Sequence, residues 1–454
     1  MSIGPPTGMR DWLPHETLLR QRLMETIGSV YRLYGYLPID TPALEDLEVL
    51  LGKGGGENEK LLFKVLKRGE KLAQAKENEL ADYGLRYDLT VPLARFVASH
   101  QGKLPKIFRR YHIAPVWRAD RPQKARYREF YQCDIDVVGG ASSAYEVEII
   151  TATERVLREL KLGTYWFRIT DQRLLPLILG GFGVHQDKIT PITVILDKLD
   201  KMAGGSGEAF SELQTILPEG SEELKKTGGL LVEAYADRNH ETGRYERLAK
   251  FSKYLDLIEN SAIRAEIDRI LQNVKHIIDA VMAINPSSRI VFDPILVRGM
   301  DYYTGPIYEA VVEGFPSSIL GGGRYDGLIG RFAGKDIPAV GCSIGFERIL
   351  AILHDREDAL SSTVMARTLL LRQAQEVDDT PLNAMAEQLR NGGIPVETYL
   401  DADPVKKQLD YAEQNGIRWV IKSVHNDGTL TIRELATRQD RIVSLDDFKS
   451  LLGI

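Results

Sequence analysis

The sequence predicts an α+β fold in which an antiparallel sheet is interrupted by a helical insertion and followed by a separate α/β domain. β-rich runs cluster between residues 85 and 140 and return between 289 and 344. Between 172 and 288 these runs vanish, and charged helical patterns replace them. From about residue 365 strands and helices alternate, which is typical of a mostly parallel sheet. A length of 454 residues suits roughly three domains.

The N-terminal part predicts a helix, an edge segment and an exposed excursion. Apolar residues recur at steps of three and four between residues 19 and 34, which indicates an amphipathic helix that ends at Gly35. The prolines of segment 36–42 favour an edge or an interface, because proline cannot donate a hydrogen bond to a sheet. Segment 53–83 is rich in Gly, Lys and Glu, which is typical of an exposed loop.

The central sheet is predicted from short runs of apolar and β-branched residues. We expect strands at 85–89, 111–118, 129–138, 165–170, 289–292, 296–297, 307–312 and 339–344. The second and third of these flank the basic segment 119–128, so they should form an antiparallel hairpin with a long tip. Helices are predicted over 144–160 and 346–354.

The C-terminal part alternates regularly between the two kinds of element. Strands are predicted at 368–371, 396–400 and 419–422, with a helix over 381–390. A second helix should be capped by Asp403, with Pro404 in its first turn and Gly416 at its end. We therefore expect a small, mostly parallel α/β domain.

Composition restricts the possible functions. Apolar residues make up 43% of the chain and charged residues 27%, as in ordinary globular proteins. The N-terminus lacks the pattern of a secretory signal, and the two cysteines suit a reduced core, so we expect a cytoplasmic protein. A net charge of −6 excludes a globally basic nucleic-acid coat, although segments 103–110 and 118–128 are locally basic.

Several familiar kinds of catalytic site are absent from the sequence. None of the eight histidines stands at metal-ligand spacing with another or with a cysteine, so no metal site is expected. The glycines at 321–323 resemble the start of a phosphate-binding loop. The spacing before Gly334 does not fit, however, and Asp336 stands where Ser or Thr is required.

Arginines at predicted strand ends are the remaining chemical signal. They are Arg118, Arg126, Arg128, Arg298 and Arg348. Any single one is most simply a surface or salt-bridged residue. Several in one region suit a polyphosphate and a carboxylate held together, because the guanidinium fork grips both groups.

Longer segments carry a family resemblance. Pro42, the pair 117–122 and 130–136, and segment 341–348 resemble three motifs of the aminoacyl-tRNA synthetases whose active site is an antiparallel sheet, class II. Segments 85–90, 298–303 (RGMDYY) and 323–328 (GRYDGL) resemble those of histidyl-tRNA synthetases within that class. The resemblance runs nearly from end to end.

The resemblance implies a domain plan and an activity. Residues 1–171 and 289–358 would form the two parts of a class II catalytic domain, 172–288 its helical insertion, and 365–454 an anticodon-binding domain. The activity would be ATP-dependent attachment of L-histidine to tRNA(His) through histidyl-adenylate, by a homodimer that uses Pro42 and its flanks. Mg2+ would accompany the ATP phosphates without a protein cage of its own.

The resemblance also implies roles for individual residues. Arg118 and Arg298 would oppose each other across the reacting anions, and Arg126 and Arg348 would hold ATP with Arg118. Histidine would be bound by Asp88, Leu89, Thr90, Gln132, Asp136, Tyr302 and Tyr303. In this scheme Asp88, Thr90 and Gln132 face the α-ammonium, and Asp136 and Tyr303 face the imidazole. Asp88 and Asp136 stand where many members of the family carry Glu.

Two alternatives stay open at this point. Relatives that regulate the first enzyme of histidine biosynthesis share the fold without catalysis, but they lack the anticodon-binding domain. A synthetase-like module that only binds RNA is the other alternative. Arg118, Arg298 and Arg348 weigh against both.

Overall fold

The structure is a computed structural model that describes residues 3–52, 57–76, 79–122, 126–198, 205–236, 244–298, 302–354, 368–372 and 380–453. The chain forms two compact units, Met1–Asp355 and Arg356–Ile454. Within the described ranges, every helix is too short or too polar to cross a membrane.

The larger unit contains the following elements. Its strands are β1 (Leu37–Pro38), β2 (Leu44–Asp46), β3 (Lys64–Leu66), β4 (Ala81–Leu85), β5 (Phe108–Trp117), β6 (Glu129–Val138), β7 (Tyr165–Asp171), β8 (Ile290–Phe292), β9 (Pro306–Val312), β10 (Ser318–Arg324) and β11 (Ala339–Gly345). Its helices are α1 (Pro14–Leu33), α2 (Leu47–Leu51), α3 (Glu70–Ala73), α4 (Thr90–His100), α5 (Ala144–Glu159), α6 (Leu174–Gly181), α7 (Gln186–Lys198), α8 (Gly205–Ile216), α9 (Glu222–Ala236), α10 (Arg244–Leu255), α11 (Ser261–Ile284), α12 (Asp326–Ala333) and α13 (Phe346–His354). A short 3-10 helix spans Glu57–Leu61.

The centre of this unit is a sheet with the strand order β1-β5-β6-β11-β10-β9-β7-β8. Neighbouring strands are antiparallel except at its two edges, where β1 runs parallel to β5 and β8 runs parallel to β7. Strands β5 and β6 pair from Phe108↔Val138 to Trp117↔Glu129, so the predicted hairpin is confirmed. A smaller sheet has the order β2-β4-β3.

Three sequence-based expectations for this sheet were wrong. The run 85–89 is not one of its strands, because β4 ends at Leu85 and pairs with β2 and β3 in the smaller sheet. The run 296–297 is not a strand, because the backbone N–H of Leu296 donates to the Asp293 carbonyl and closes a turn. The glycines at 321–323 belong to β10, an inner strand paired on both sides, which the sequence did not predict as a strand. Glycine is uncommon within strands and marks places where another group approaches closely.

Helices α6 to α11 lie between β7 and β8 in the chain. Because β7 and β8 pair directly at Phe167↔Ile290, the chain leaves and re-enters the sheet at the same edge. Asn260 caps α11 through its side chain, which accepts from the N–H groups of Ala262 and Ile263. The helical character predicted for this part of the chain is present in its described residues.

The smaller unit contains a mixed sheet with the strand order β13-β12-β14-β15-β16. Its elements are β12 (Thr368–Leu370), α14 (Thr380–Asn391), β13 (Val396–Thr398), α15 (Val405–Gln414), β14 (Trp419–Val424), β15 (Leu430–Glu434), β16 (Gln439–Val443) and α16 (Leu445–Leu452). Strands β12, β13 and β14 are parallel, as predicted, whereas β15 and β16 extend the sheet antiparallel. The sheet is therefore only half parallel.

The predicted cap of helix α15 was also wrong. The N-cap is Pro404, and the helix begins at Val405. The Asp403 carboxylate instead accepts from Lys407 Nζ at 2.9 Å and from the Tyr399 hydroxyl at 2.7 Å. Two side-chain donors have replaced the backbone N–H groups that a capping aspartate would accept from.

A buried ion pair joins the sheet to helix α5. Arg324, at the end of β10, donates through Nε and Nη2 to the two carboxylate oxygens of Glu146, both at 2.7 Å. The same guanidinium donates to the carbonyls of Gly140 and Ser142. The Glu146 side chain is almost completely buried, so it depends on Arg324 for its counter-charge.

Replacing Arg324 by Ala should destabilise the larger unit strongly. Breaking a buried pair leaves an uncompensated charge, which costs about 3–5 kcal/mol. Urea unfolding followed by tryptophan fluorescence measures the change. As a control, Lys225→Ala removes one partner of the exposed Lys225–Glu222 pair and should leave the curve unchanged. Equal effects of the two substitutions would contradict this role for Arg324.

Candidate active site

One face of the central sheet collects the polar residues predicted from the sequence. Alternate residues of a strand share a face, and cross-strand partners lie side by side on it. One row across strands β5, β6, β11 and β10 consists of Arg110, Asp136, Gly341 and Gly323. The next row consists of His112, Asp134, Ser343 and Gly321. Gln132, two residues before Asp134, belongs to the same face.

Arg110 is the fully buried cation of this face. Its Nη2 lies 2.7 Å from Asp136 Oδ2 and 3.9 Å from Asp134 Oδ2. The same nitrogen donates to the Leu89 carbonyl at 3.5 Å. The sequence analysis did not select Arg110 or Asp134. Their alternation with Gln132 and Asp136 along paired strands was the available signal, but it required the register of β5 against β6.

Among the described residues, four buried carboxylate or amide oxygens on this side have no hydrogen-bond partner. They are Asp88 Oδ2, Gln132 Oε1, Asp134 Oδ1 and Asp136 Oδ2, of which Asp136 Oδ2 lies at ion-pair distance from Arg110. The other atoms of these groups are held: Asp88 Oδ1 accepts from Val91 N at 3.1 Å, and Gln132 Nε2 donates to Ser343 Oγ at 2.9 Å. An unsatisfied buried acceptor costs roughly 1–3 kcal/mol. Such acceptors therefore favour a ligand that brings N–H donors.

Burial disfavours the charged form of the three carboxyl groups on this side, and a nearby cation would stabilise that form. Burial raises the pKa of Asp88 to about 6, although the Val91 N–H and Arg118 oppose the rise. Burial also raises the pKa of Asp134 to about 7, with Arg110 opposing and Asp136 adding to the rise. The pKa of Asp136 is raised by burial against the attraction of Arg110. One buried arginine thus only partly compensates three neighbouring carboxyl groups.

His112 is a neutral neighbour of these groups. Its Nε2 lies 3.2 Å from Asp40 Oδ1, and its ring is buried. Burial, reinforced by the positive charges of Arg110 and Arg86, lowers the pKa of His112 to about 3. The imidazole is therefore uncharged near neutrality. It adds no cation to the side of the site that contains Asp88, Asp134 and Asp136, which we call the acidic side.

Residues 88–90 enter the site from the start of helix α4. The Leu89 side chain is fully buried against Ala114 and Val116, so only its backbone faces the polar side. The Thr90 hydroxyl is hydrogen-bonded to the Tyr302 hydroxyl. Of the three, only Asp88 keeps a buried side-chain oxygen without a partner.

Three tyrosines line the neighbouring wall. The Tyr302 and Tyr303 rings lie 4.9 Å apart, and Tyr302 meets Tyr325 edge to face at 5.9 Å. The Tyr325 hydroxyl donates to Asp136 Oδ1. Tyr325 lies within segment 323–328, which carries the family resemblance, but the sequence alone did not predict it as a site residue. Residues 299–301, the middle of the RGMDYY segment, lie outside the described residues.

Four predicted arginines converge on the other side. Burial lowers the pKa of Arg348 to about 10, and the charges of Arg298, Arg126 and Arg118 add to the effect. Arg118 donates to the Tyr87 carbonyl at 2.9 Å, Arg126 pairs with Asp120 at 2.7 Å, and Arg348 donates to the Ser318 carbonyl. Mutual repulsion among these cations favours a ligand with several negative charges.

The glycine strand makes room for Arg298. A Cβ atom on Gly321 would lie 2.2 Å from both Cζ and Nη2 of Arg298. The guanidinium therefore lies directly on β10, and its Nη1 donates to Glu309 Oε2 at 3.4 Å. Only a residue without a side chain at position 321 permits this arrangement.

Another buried ion pair connects the two halves of the site. Arg20 of helix α1 donates through Nη1 and Nη2 to Glu347 Oε1, both at 3.1 Å. The other oxygen of Glu347 accepts from the backbone N–H of Tyr131 at 3.0 Å. Glu347 precedes Arg348, and Tyr131 precedes Gln132, so one carboxylate fixes the strand of the acidic side against the helix that carries Arg348.

Comparison with known proteins identifies the family. A model described as histidyl-tRNA synthetase matches residues 8–349, and one described as an anticodon binding domain matches residues 375–453. A histidine--tRNA ligase of Leifsonia xyli is 41% identical over 423 residues, which cover 92% of this chain and 94% of the relative. The chain belongs to the histidyl-tRNA synthetase family.

Other members extend the likeness along the chain. A histidine--tRNA ligase of Phocaeicola vulgatus is 34% identical and covers 99% of this chain and 98% of its own. The crystal structure of histidyl-tRNA synthetase from Nostoc sp. PCC 7120 matches with a TM-score of 0.79 at 26% identity, over 100% of this chain and 99% of that one. A Bacillus halodurans structure described as an ATP phosphoribosyltransferase regulatory subunit/histidyl-tRNA synthetase matches with a TM-score of 0.70 at 20% identity, over 91% of this chain and 97% of that one, and shows the fold alone.

Proposed function

We propose that this chain attaches L-histidine to tRNA(His) at the expense of ATP. The observation that carries the proposal is that one site has two sides of opposite charge. One is the acidic side, and the other is an arginine side formed by Arg118, Arg126, Arg298 and Arg348. The acidic side suits the ammonium and imidazole N–H groups of histidine. The arginine side suits its carboxylate together with the phosphates of ATP.

Two transfers complete the reaction. In the first, a carboxylate oxygen of histidine bonds to the α-phosphorus of ATP, the bond to the bridging oxygen breaks, and pyrophosphate leaves. In the second, a ribose hydroxyl of the tRNA terminus attacks the carbonyl carbon of histidyl-adenylate, and AMP leaves. The first transfer joins two anions, so fixed positive charge and positioning supply most of the catalysis.

The arginines divide that work. Arg118 contacts the histidine carboxylate and the α-phosphate, and Arg298 opposes it across the reacting atoms. Arg126 and Arg348 bind the remaining phosphates and the adenine side. Arg298 is anchored by Glu309 at 3.4 Å and Arg118 by the Tyr87 carbonyl at 2.9 Å, so both are oriented before the substrates bind.

Histidine is recognised by buried polar groups. Asp88, Thr90 and Gln132 face the α-ammonium, with Leu89 contributing its backbone, while Asp136 and Tyr303 face the imidazole and Tyr302 closes the wall beside them. A wrong amino acid leaves these groups unpaired, which can discriminate by roughly 10⁴-fold or more.

Mg2+ enters this scheme with ATP. Among the described residues, no group of three or more His, Cys, Asp or Glu side chains could hold a metal ion. The carboxylate nearest to Arg298, Glu309, is already shared between Arg298 and Arg168. We propose that Mg2+ accompanies the phosphate oxygens of the nucleotide, where it would neutralise charge.

The predicted domain plan follows from the same proposal. Residues 1–171 and 289–358 form the catalytic domain around insertion 172–288, and 365–454 binds the anticodon. Direct pairing of β7 with β8 supports the first division, and the matched anticodon-domain model supports the second. We place this activity in the cytoplasm.

We further propose that two copies pair through the edge near Pro42. Strand β1 is the outermost strand of the central sheet, and Leu37 on it is 64% exposed. Leu33 at the end of α1 and Leu44 on β2 are also exposed. An apolar edge of this kind is suited to burial against a second copy.

Histidine-dependent exchange tests the activity. Purified protein should exchange labelled pyrophosphate into ATP when histidine is present and should charge tRNA(His). Without histidine, or with another amino acid, exchange should stay at background. A folded protein with no histidine-dependent exchange would contradict the proposal and favour a regulatory binding subunit.

Gly321→Ala tests the position given to Arg298. The new methyl group would displace the flexible guanidinium while leaving the backbone free to fold, so exchange should fall roughly 10²-fold or more, the scale of one lost electrostatic stabiliser. Because both changes remove the same contact, Arg298→Ala combined with Gly321→Ala should be no slower than Arg298→Ala alone.

Gly180→Ala is the matched control. Gly180 lies in α6, and a Cβ atom there would meet nothing within 4 Å. Exchange by this variant should equal that of the unsubstituted chain. Full activity of a folded Gly321→Ala variant would refute the proposed position of Arg298.

A further inference from the structure

Asp134 is the one buried carboxyl group of the acidic side that has no role so far. It is 2% exposed and lies on β6 between Gln132 and Asp136, on the same face as both. Its Oδ1 is buried without a hydrogen-bond partner. Its side chain is hydrogen-bonded to Ser343, the hydroxyl that also accepts from Gln132 Nε2.

Ser343 therefore brings two free acceptors close together. With the Gln132 amide nitrogen and the Asp134 carboxylate both on one hydroxyl, the remaining oxygens, Gln132 Oε1 and Asp134 Oδ1, belong to adjacent groups. Asp88 supplies the third free oxygen, and its charge acts on the carboxyl group of Asp134. A primary ammonium has three N–H donors, one for each of these oxygens. The fourth unpartnered oxygen of this face, Asp136 Oδ2, already lies 2.7 Å from Arg110 Nη2.

The geometry points to Asp134 as a specificity-determining residue that accepts the third hydrogen bond of the α-ammonium, beside Asp88 and Gln132. This assignment rests on the proposed function, because it deepens the recognition of histidine at the same site. Thr90, the other ammonium residue of that proposal, already bonds to Tyr302 and keeps its hydroxyl lone pairs as an additional contact.

The imidazole is a weaker match to Asp134. Asp136, the acceptor assigned to the ring, is fixed by Arg110 at 2.7 Å and by the Tyr325 hydroxyl, and Tyr325 belongs to the tyrosine wall. Asp134 lies farther from Arg110, at 3.9 Å, so less of its charge is compensated before substrate binds. An incoming ammonium would provide that compensation.

The test compares two ligands that differ in the amino group. L-Histidine carries it, whereas 3-(imidazol-4-yl)propanoate has the same ring and carboxylate without it. For Asp134→Asn, calorimetry should show histidine affinity reduced roughly 10- to 100-fold, the scale of a charge-assisted hydrogen bond. The affinity for the propanoate should be unchanged. Asp134→Ala should give the same pattern if the Asn variant does not fold.

Asp171→Asn is the matched control, because Asp171 is equally buried but pairs with Arg173 away from this face. It should leave both affinities unchanged. Equal weakening of both ligands by Asp134→Asn would assign Asp134 to the ring or to folding and overturn the inference, as would no change in either. If the unsubstituted chain binds no histidine, the proposed function itself fails. If it binds histidine and the ratio of affinities is unaltered in the variant, only the role of Asp134 fails.

Discussion

The buried guanidinium of Arg110 lies between Asp134 and Asp136 in the middle of the central sheet, and its Nη2 also reaches the Leu89 carbonyl. It therefore connects strands β5 and β6 to the segment that carries Asp88. Moving a charged group from water into the protein interior costs free energy. The buried carboxylates of this sheet therefore need a cation among them. A single cation leaves some of the carboxylate and amide oxygens without a hydrogen-bond donor. This lack of donors favours a ligand that brings N–H groups.

The arginine side across the site lacks negative charge. Burial lowers the pKa of Arg348 to about 10, and the charges of Arg298, Arg126 and Arg118 add to the effect. An amino acid is a zwitterion, and it relieves both deficits when its ammonium meets the acids and its carboxylate meets the arginines. Under the proposed function, this polarity would orient histidine so that its carboxylate points at ATP. Glu347 keeps the two sides in register through Arg20 and Tyr131.

The sequence alone predicted the elements that have a local residue pattern and the site residues that lie in recognisable motifs. Strand β6 was predicted with the bounds 129–138 that the structure has, because polar and apolar residues alternate from Gln132 to Val137. The glycines of β10 concealed a strand, since their purpose is to admit Arg298 rather than to favour extended backbone. Asp134 and Arg110 were missed because their importance arises from cross-strand register, which a single sequence does not contain. Asp403 was misassigned because Tyr399 and Lys407 compete for its carboxylate.

A crystal structure of the chain with L-histidine and a non-hydrolysable ATP analogue tests the division of the site most directly. The account predicts the α-ammonium at about 3 Å from Asp88, Gln132 and Asp134, a hydrogen-bond distance. It predicts the carboxylate between Arg118 and Arg298, facing the α-phosphate. Histidine bound in the reverse sense, or with its ammonium in contact with none of the three acceptors, would contradict it.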